Sequence, residues 1–139
     1  MRHSIEMAKG KEEHEARVSL LSTFGKDLAR RAKSKCELCE RGGEKLAIFE
    51  VPPVPRDPDF SRCLFLCPDC LEQAGNGKKF RPGEHWRFLV GQAWSENLLI
   101  QVLAVRLLRR QAGVQDWARE ALEELFLDDE VETLVTEGE

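Results

Sequence analysis

The pairs Cys36-x2-Cys39 and Cys67-x2-Cys70 limit what this chain can fold into more than any other feature of it. Each C-x2-C forms a tight knuckle that turns two thiolates to one side, at a separation a tetrahedral Zn2+ accepts. Two knuckles supply four soft ligands. The intervening residues 40–66 must therefore leave the metal and return to it, and they carry the means. Gly42 and Gly43 mark a turn, "KLAIFEV" reads as a strand, and "RCLFLC" reads as a second strand coming back. Pro52, Pro53, Pro55 and Pro58 stop the first strand and hold the following loop extended. The spacing of Pro52, Pro55 and Pro58 also fits a polyproline ligand, but a stiff connector between two knuckles is the simpler role.

The chemistry expected of Cys36, Cys39, Cys67 and Cys70 is one structural Zn2+ per chain. Four thiolates fill the coordination sphere, whereas a catalytic zinc keeps a position for water or substrate. Iron takes similar ligands, and the sequence alone leaves it open. A thioredoxin-like role calls for a single C-x2-C on a βαβ unit, which this double-knuckle hairpin is not. Cys63 sits four residues before Cys67, a spacing that fits no knuckle, so it reads as a buried thiol within its strand. The N-terminus "MRHSIEMAKGKEEHEARV" has no apolar stretch of a secretory signal, and no apolar run is long enough for a membrane span. The expected compartment is the cytoplasm, where thiols stay reduced, and no membrane partner is expected.

Around the clamp the pattern is helical, giving an α+β class. A small four-cysteine zinc-ribbon or treble-clef-like hairpin lobe packs on a mainly α-helical body of three to four helices. The expected boundaries are a flexible N-terminus over 1–12, a helix over 13–33, the zinc lobe over 34–76, and a helical region with an acidic tail over 77–139. Ser95 is the expected N-cap, and Gly113 the stop, of "ENLLIQVLAVRLLRRQAG". That helix, residues 96–112, is apolar almost all round, so it is central to the core or covered by a partner protein. "QDWAREALEELF" carries a clean apolar stripe, with "DDEVETLV" adding a further turn or two.

Charge is segregated. Residues 26–35 carry Lys26, Arg30, Arg31, Lys33 and Lys35 against Asp27, while 120–139 carry nine acidic residues and no basic one. A phosphate backbone would be drawn to one end and repelled by the other. The simpler expectation is that the two ends face each other or stay in water. His85 and Trp86, near Lys78, Lys79 and Arg81, offer a base and a stacking platform for a nucleotide. The more ordinary role for Trp86 and Trp94 is to wedge the zinc lobe against the long helix.

Taken together, "SKCELC…LAIFEVPP…LFLCPDCLEQ…HWRFL…AWSE…QVLAVRLL" resembles the PhnA-like family over about residues 24–135. The resemblance puts Cys36, Cys39, Cys67 and Cys70 at that family's metal-ligand positions. It also aligns Glu50, Val51 and Pro52 with an "EVPP" step, and His85, Trp86, Trp94 and Ser95 with an "HW…WS" step. Longer members continue into a small β-rich second domain, which is not expected within these residues. The family name implies alkylphosphonate use, and a phosphonoacetate hydrolase label goes with it. Such a hydrolase would need an open metal site with His and carboxylate ligands, and His3, His14 and His85 form no cluster in the sequence. The knuckle–hairpin–helix order is also similar to the treble clef of HNH endonucleases, yet no His lies between Cys39 and Cys67, and Glu50 alone does not replace that set. The expected function is non-enzymatic: a zinc-stabilised module that binds a protein partner. A nucleic-acid-binding or degenerate HNH-like module is the alternative. An enzyme with an unrecognised site would depend on His85 or Glu50.

Overall fold

The structure, a computed structural model, describes the backbone of residues 2–139 and the side chains from Gly10 onward. It is a mixed fold with one two-stranded antiparallel sheet and seven α-helices among the described residues. Helix α1 spans Arg2–Ser22 and α2 spans Gly25–Ala32. The sequence pattern starts a single helix at Glu13. The structure carries it back to Arg2, through a stretch with no proline and many good helix formers. It also breaks the helix in two. Ser22 Oγ donates to Ser19 O (2.6 Å) and Thr23 Oγ1 donates to Leu20 O (2.6 Å), engaging carbonyls at the end of α1. Phe24 then packs edge-on against Phe60, with ring centroids 5.7 Å apart.

Strand β1 (Ala47–Glu50) pairs with β2 (Cys63–Leu66) in the register Ala47↔Leu66 to Glu50↔Cys63. Helix α3 (Pro68–Gly75) follows β2 directly, with Pro68 in its first turn. After a short helix α4 (Leu89–Gln92) comes α5 (Leu98–Gln111). Asn97, not Ser95, caps α5, its Oδ1 accepting from Leu99 N and Ile100 N. Ser95 acts one step earlier, its Oγ accepting from Asn97 N. Helices α6 (Asp116–Glu124) and α7 (Asp129–Glu137) complete the chain.

The unbroken burial from Val102 to Leu108 makes α5 the centre of the molecule. Helices α4, α6 and α7 and strand β2 pack on it. Its apolar surface is therefore covered by its own chain, and a protein partner would have to meet other surfaces. Buried residues of the hairpin, including Phe49, Val51, Leu64 and Leu66, belong to the same core as Leu103 and Leu107. Trp86 is buried as expected, its Nε1 donating to Arg81 O (2.8 Å). Trp94 is not a wedge: it lies in the turn between α4 and α5 and is 56% exposed.

The acidic and basic ends do not pair with each other. Arg31 binds Glu37, whereas the acidic tail is met from α5, Arg109 lying 2.8 Å from Glu132 and 3.8 Å from Glu139. Arg106 is buried and has no carboxylate partner among the described residues; its guanidinium donates to Leu134 O and Val135 O, carbonyls in the last turn of α7. Burial lowers its pKa to about 10. No helix among the described residues is long and apolar enough to cross a membrane.

Candidate metal centre

The first knuckle is built by backbone geometry around Cys36. Lys35 bridges to Gly42, Cys36 N donates to Arg41 O (3.0 Å), and Glu40 N donates to Cys36 O (2.9 Å). Glu40, just past Cys39, has a positive φ (64°), which turns the chain back so that Arg41 O meets Cys36 N. The second knuckle uses a helix start. Cys67 is the N-cap of α3 and Cys70 stands in its first turn, where the helix dipole favours thiolates.

The four sulfurs of Cys36, Cys39, Cys67 and Cys70 all lie within 4.8 Å of one another. A tetrahedron of sulfurs around zinc, with Zn–S near 2.3 Å, has edges of about 3.8 Å. Cys39 Sγ and Cys67 Sγ are 3.8 Å apart. The residues thus fit a four-thiolate metal. Their proton chemistry agrees: Cys70 donates to Cys36 and lowers the Cys36 pKa to about 4, while its own pKa is raised by the same bond. Burial pushes the Cys39 thiol up to about 11. Such a cage resists gathering several negative charges unless a cation replaces the protons.

The clamp is tied to its surroundings by a residue the sequence did not single out. Glu37, between the first two cysteines, exchanges bonds with β2: its N donates to Phe65 O (2.9 Å) and its Oε1 accepts from Phe65 N (2.8 Å). Arg31 of α2 forks onto the same carboxylate with two bonds of 2.7 Å and also donates to Cys63 O (2.8 Å). Its guanidinium lies 5.3 Å from the centre of the Phe60 ring. Part of the basic segment is therefore internal scaffolding. Gln92 of α4 adds a bond from Nε2 to Leu38 O (2.6 Å).

The other candidates fall in different places. Glu50 is held by Arg17 of α1, whose Nε and terminal nitrogen donate to its two oxygens while the guanidinium also reaches Pro55 O and Arg56 O. Cys63 is fully buried, outside the cluster, its thiol donating to Asp59 O (3.3 Å). Burial raises its pKa to about 11. His85 does reach the clamp, lining with Arg41 a crevice of about 60 Å³ that touches Cys39, Cys67 and Cys70. Its ring is tilted against Trp86, centroids 5.3 Å apart. Lys79 is engaged with Glu72 at 3.3 Å. Among the described residues, these four cysteines are the one group whose ligand atoms converge as a metal would need.

Comparison with protein-family models, curated proteins and solved structures found no match. The site's own geometry therefore carries the functional reading.

Proposed function

We propose that this chain is a non-enzymatic, zinc-stabilised interaction module of the PhnA-like kind, in which the metal holds a recognition surface and performs no reaction. The convergence of four cysteine sulfurs on one point, with no other ligand among the described residues, carries the proposal, because a complete thiolate set leaves no position for a substrate. Glu50, the carboxylate an enzymatic reading would use, has both oxygens engaged by Arg17, which supports a scaffolding role. A cytoplasmic setting suits the module, since reduced thiols are what the clamp requires.

A protein partner is favoured over nucleic acid on charge. Residues 23–95 carry thirteen Lys and Arg against ten Asp and Glu. Four thiolates around a divalent cation add a net charge of about −2, so this loaded segment keeps almost no positive excess with which to displace counterions. Phe126, 91% exposed between the acidic helices α6 and α7, is the most exposed large apolar side chain described and a natural element of a protein contact.

Metal analysis of the purified chain tests the core of this reading. One zinc per chain is expected, lost in Cys36→Ser and kept in Cys63→Ala. Zinc content below one equivalent in Cys63→Ala would overturn the ligand assignment. Strong retention on nucleic acid that falls with salt, and is abolished by charge reversal at Lys33 and Lys35, would favour the nucleic-acid alternative instead.

A further inference from the structure

We infer that Cys39 is a modification site for small peroxides, through which the clamp is opened by oxidation. The inference rests on the metal-clamp reading above and concerns which sulfur reacts.

The four sulfurs are unequal. Cys36, Cys67 and Cys70 are 1%, 1% and 3% exposed, and Cys39 alone among them is partly open. Two cavities converge on it from either side of Phe88. One, of about 210 Å³, is lined by Leu38, Cys39, Phe88, Gly91 and Gln92. The other is the 60 Å³ crevice with Arg41 and His85. Thiolate reactivity requires access as well as ionisation; in the loaded clamp the metal would hold all four sulfurs as thiolates, and Cys39 is the one with an open approach. The cavities admit a molecule the size of hydrogen peroxide; the crevice also touches Cys67 and Cys70, but the larger cavity reaches Cys39 alone of the four.

The chemistry closes on residues already in place. The Cys39 thiolate attacks one oxygen of the peroxide, the O–O bond breaks, hydroxide leaves, and Cys39 becomes a sulfenic acid. The Cys67 sulfur, 3.8 Å away, attacks the Cys39 sulfur; the S–S bond forms, the S–O bond breaks and a second hydroxide leaves. One peroxide is reduced and two thiolates are oxidised. Cys36 and Cys70 then remain as a pair of ligands, too few to close the clamp. Thiol reductants reverse the disulfide and restore the set. Cys63, buried and turned to Asp59 O, stands outside this sequence.

The test uses the full-length zinc-loaded chain, with total zinc measured first by acid denaturation. Hydrogen peroxide is then added, release is followed with a colorimetric chelator, and the early product is mapped by peptide mass spectrometry. One equivalent of zinc should be released, with Cys39 oxidised first and a Cys39–Cys67 disulfide following. Gly91→Leu provides a variant that keeps the ligands. A side chain at Gly91 meets nothing within 4 Å, yet it would fill the larger cavity beside Cys39. It should retain its zinc and its circular dichroism spectrum while release slows about tenfold, because access to the thiolate is cut. A chain that takes up no zinc sinks the clamp reading, and this one with it. A zinc-loaded chain whose first oxidised sulfur is Cys36, Cys67 or Cys70 sinks the Cys39 assignment alone, and an unchanged release rate in Gly91→Leu sinks the approach through the larger cavity.

Discussion

The hairpin lobe and the helical body share one core but are held in different ways. The body is organised by apolar burial around α5, with Val102 to Leu108 enclosed by four neighbouring elements. Such burial is non-directional and tolerates rearrangement. The lobe has two short strands, and besides the side chains it lends to the shared core it relies on directed contacts: four cysteines, the Arg31–Glu37 fork and the Arg17–Glu50 pair. A two-stranded hairpin is marginal by itself, so these contacts decide whether it forms. The body should therefore outlast the lobe when the directed contacts are removed.

Removing the metal is the largest expected perturbation. Chelation, or Cys36→Ser, withdraws a binding free energy on the order of 10 kcal/mol, which in small zinc lobes is folding free energy. Amide hydrogen exchange should show lost protection over β1, β2 and α3 while α5 stays protected. Uniform loss through α5 would show that lobe and body are one cooperative unit, and the contrast drawn above would fail. The opposite perturbation is Leu103→Ala in α5, fully enclosed at 1% exposure. It should cost about 2–5 kcal/mol and lower the midpoint of urea unfolding without changing zinc content.

These expectations also show how far the sequence was readable. The four-cysteine cluster and the hairpin were legible because each depends on residues near in the chain: a C-x2-C spacing, an alternating strand, a helix start after Cys67. What was not legible depends on pairing at a distance. Nothing local marks Glu37 as the partner of Arg31, or Glu50 as the partner of Arg17 across 33 residues. The same limit hid the tie made by Arg31 within an otherwise exposed basic run. Trp94 failed for a related reason, since a tryptophan in a turn is buried or exposed according to which way the turn points. Apolarity placed α5 in a core, but only the neighbours packed on it show whose core it is.

The Glu37 tie is the sharpest test of the directed contacts. Glu37 is 5% exposed at its side chain, and Glu37→Ala leaves Phe65 N and the Arg31 fork without their acceptor. The expected cost is about 2–3 kcal/mol, with a lower zinc affinity and an unchanged ligand set. Arg31→Lys should recover only part, because one ammonium does not reproduce the fork. On the body side, Gly138→Ala probes the docking of α7. A Cβ there would collide with the Arg106 guanidinium and with Pro52 O, so a loss of about 1–3 kcal/mol is expected from overpacking. Unchanged thermal stability in Gly138→Ala would mean that α7 is not fixed by the Arg106 contact.

Cys63 gives the smallest and most specific contrast, a cysteine in the lobe that behaves like the body. Its pKa is raised from 9 to about 11, first by burial and then by Glu50 and Asp59. The folded chain therefore keeps this proton at a pH where the unfolded chain has lost it. The stability this provides is complete below the unfolded pKa and is lost as pH rises toward about 11. The loss should be about 1 kcal/mol at pH 10, read as the difference in pH dependence between the zinc-loaded chain and its Cys63→Ala variant. A thiol reagent at pH 8 should leave Cys63 untouched in the folded chain and modify it in urea. Native modification of Cys63 at pH 8 would show that the β2 end opens readily. In that case local opening of β2, and not loss of the metal, would set the lobe's lower stability.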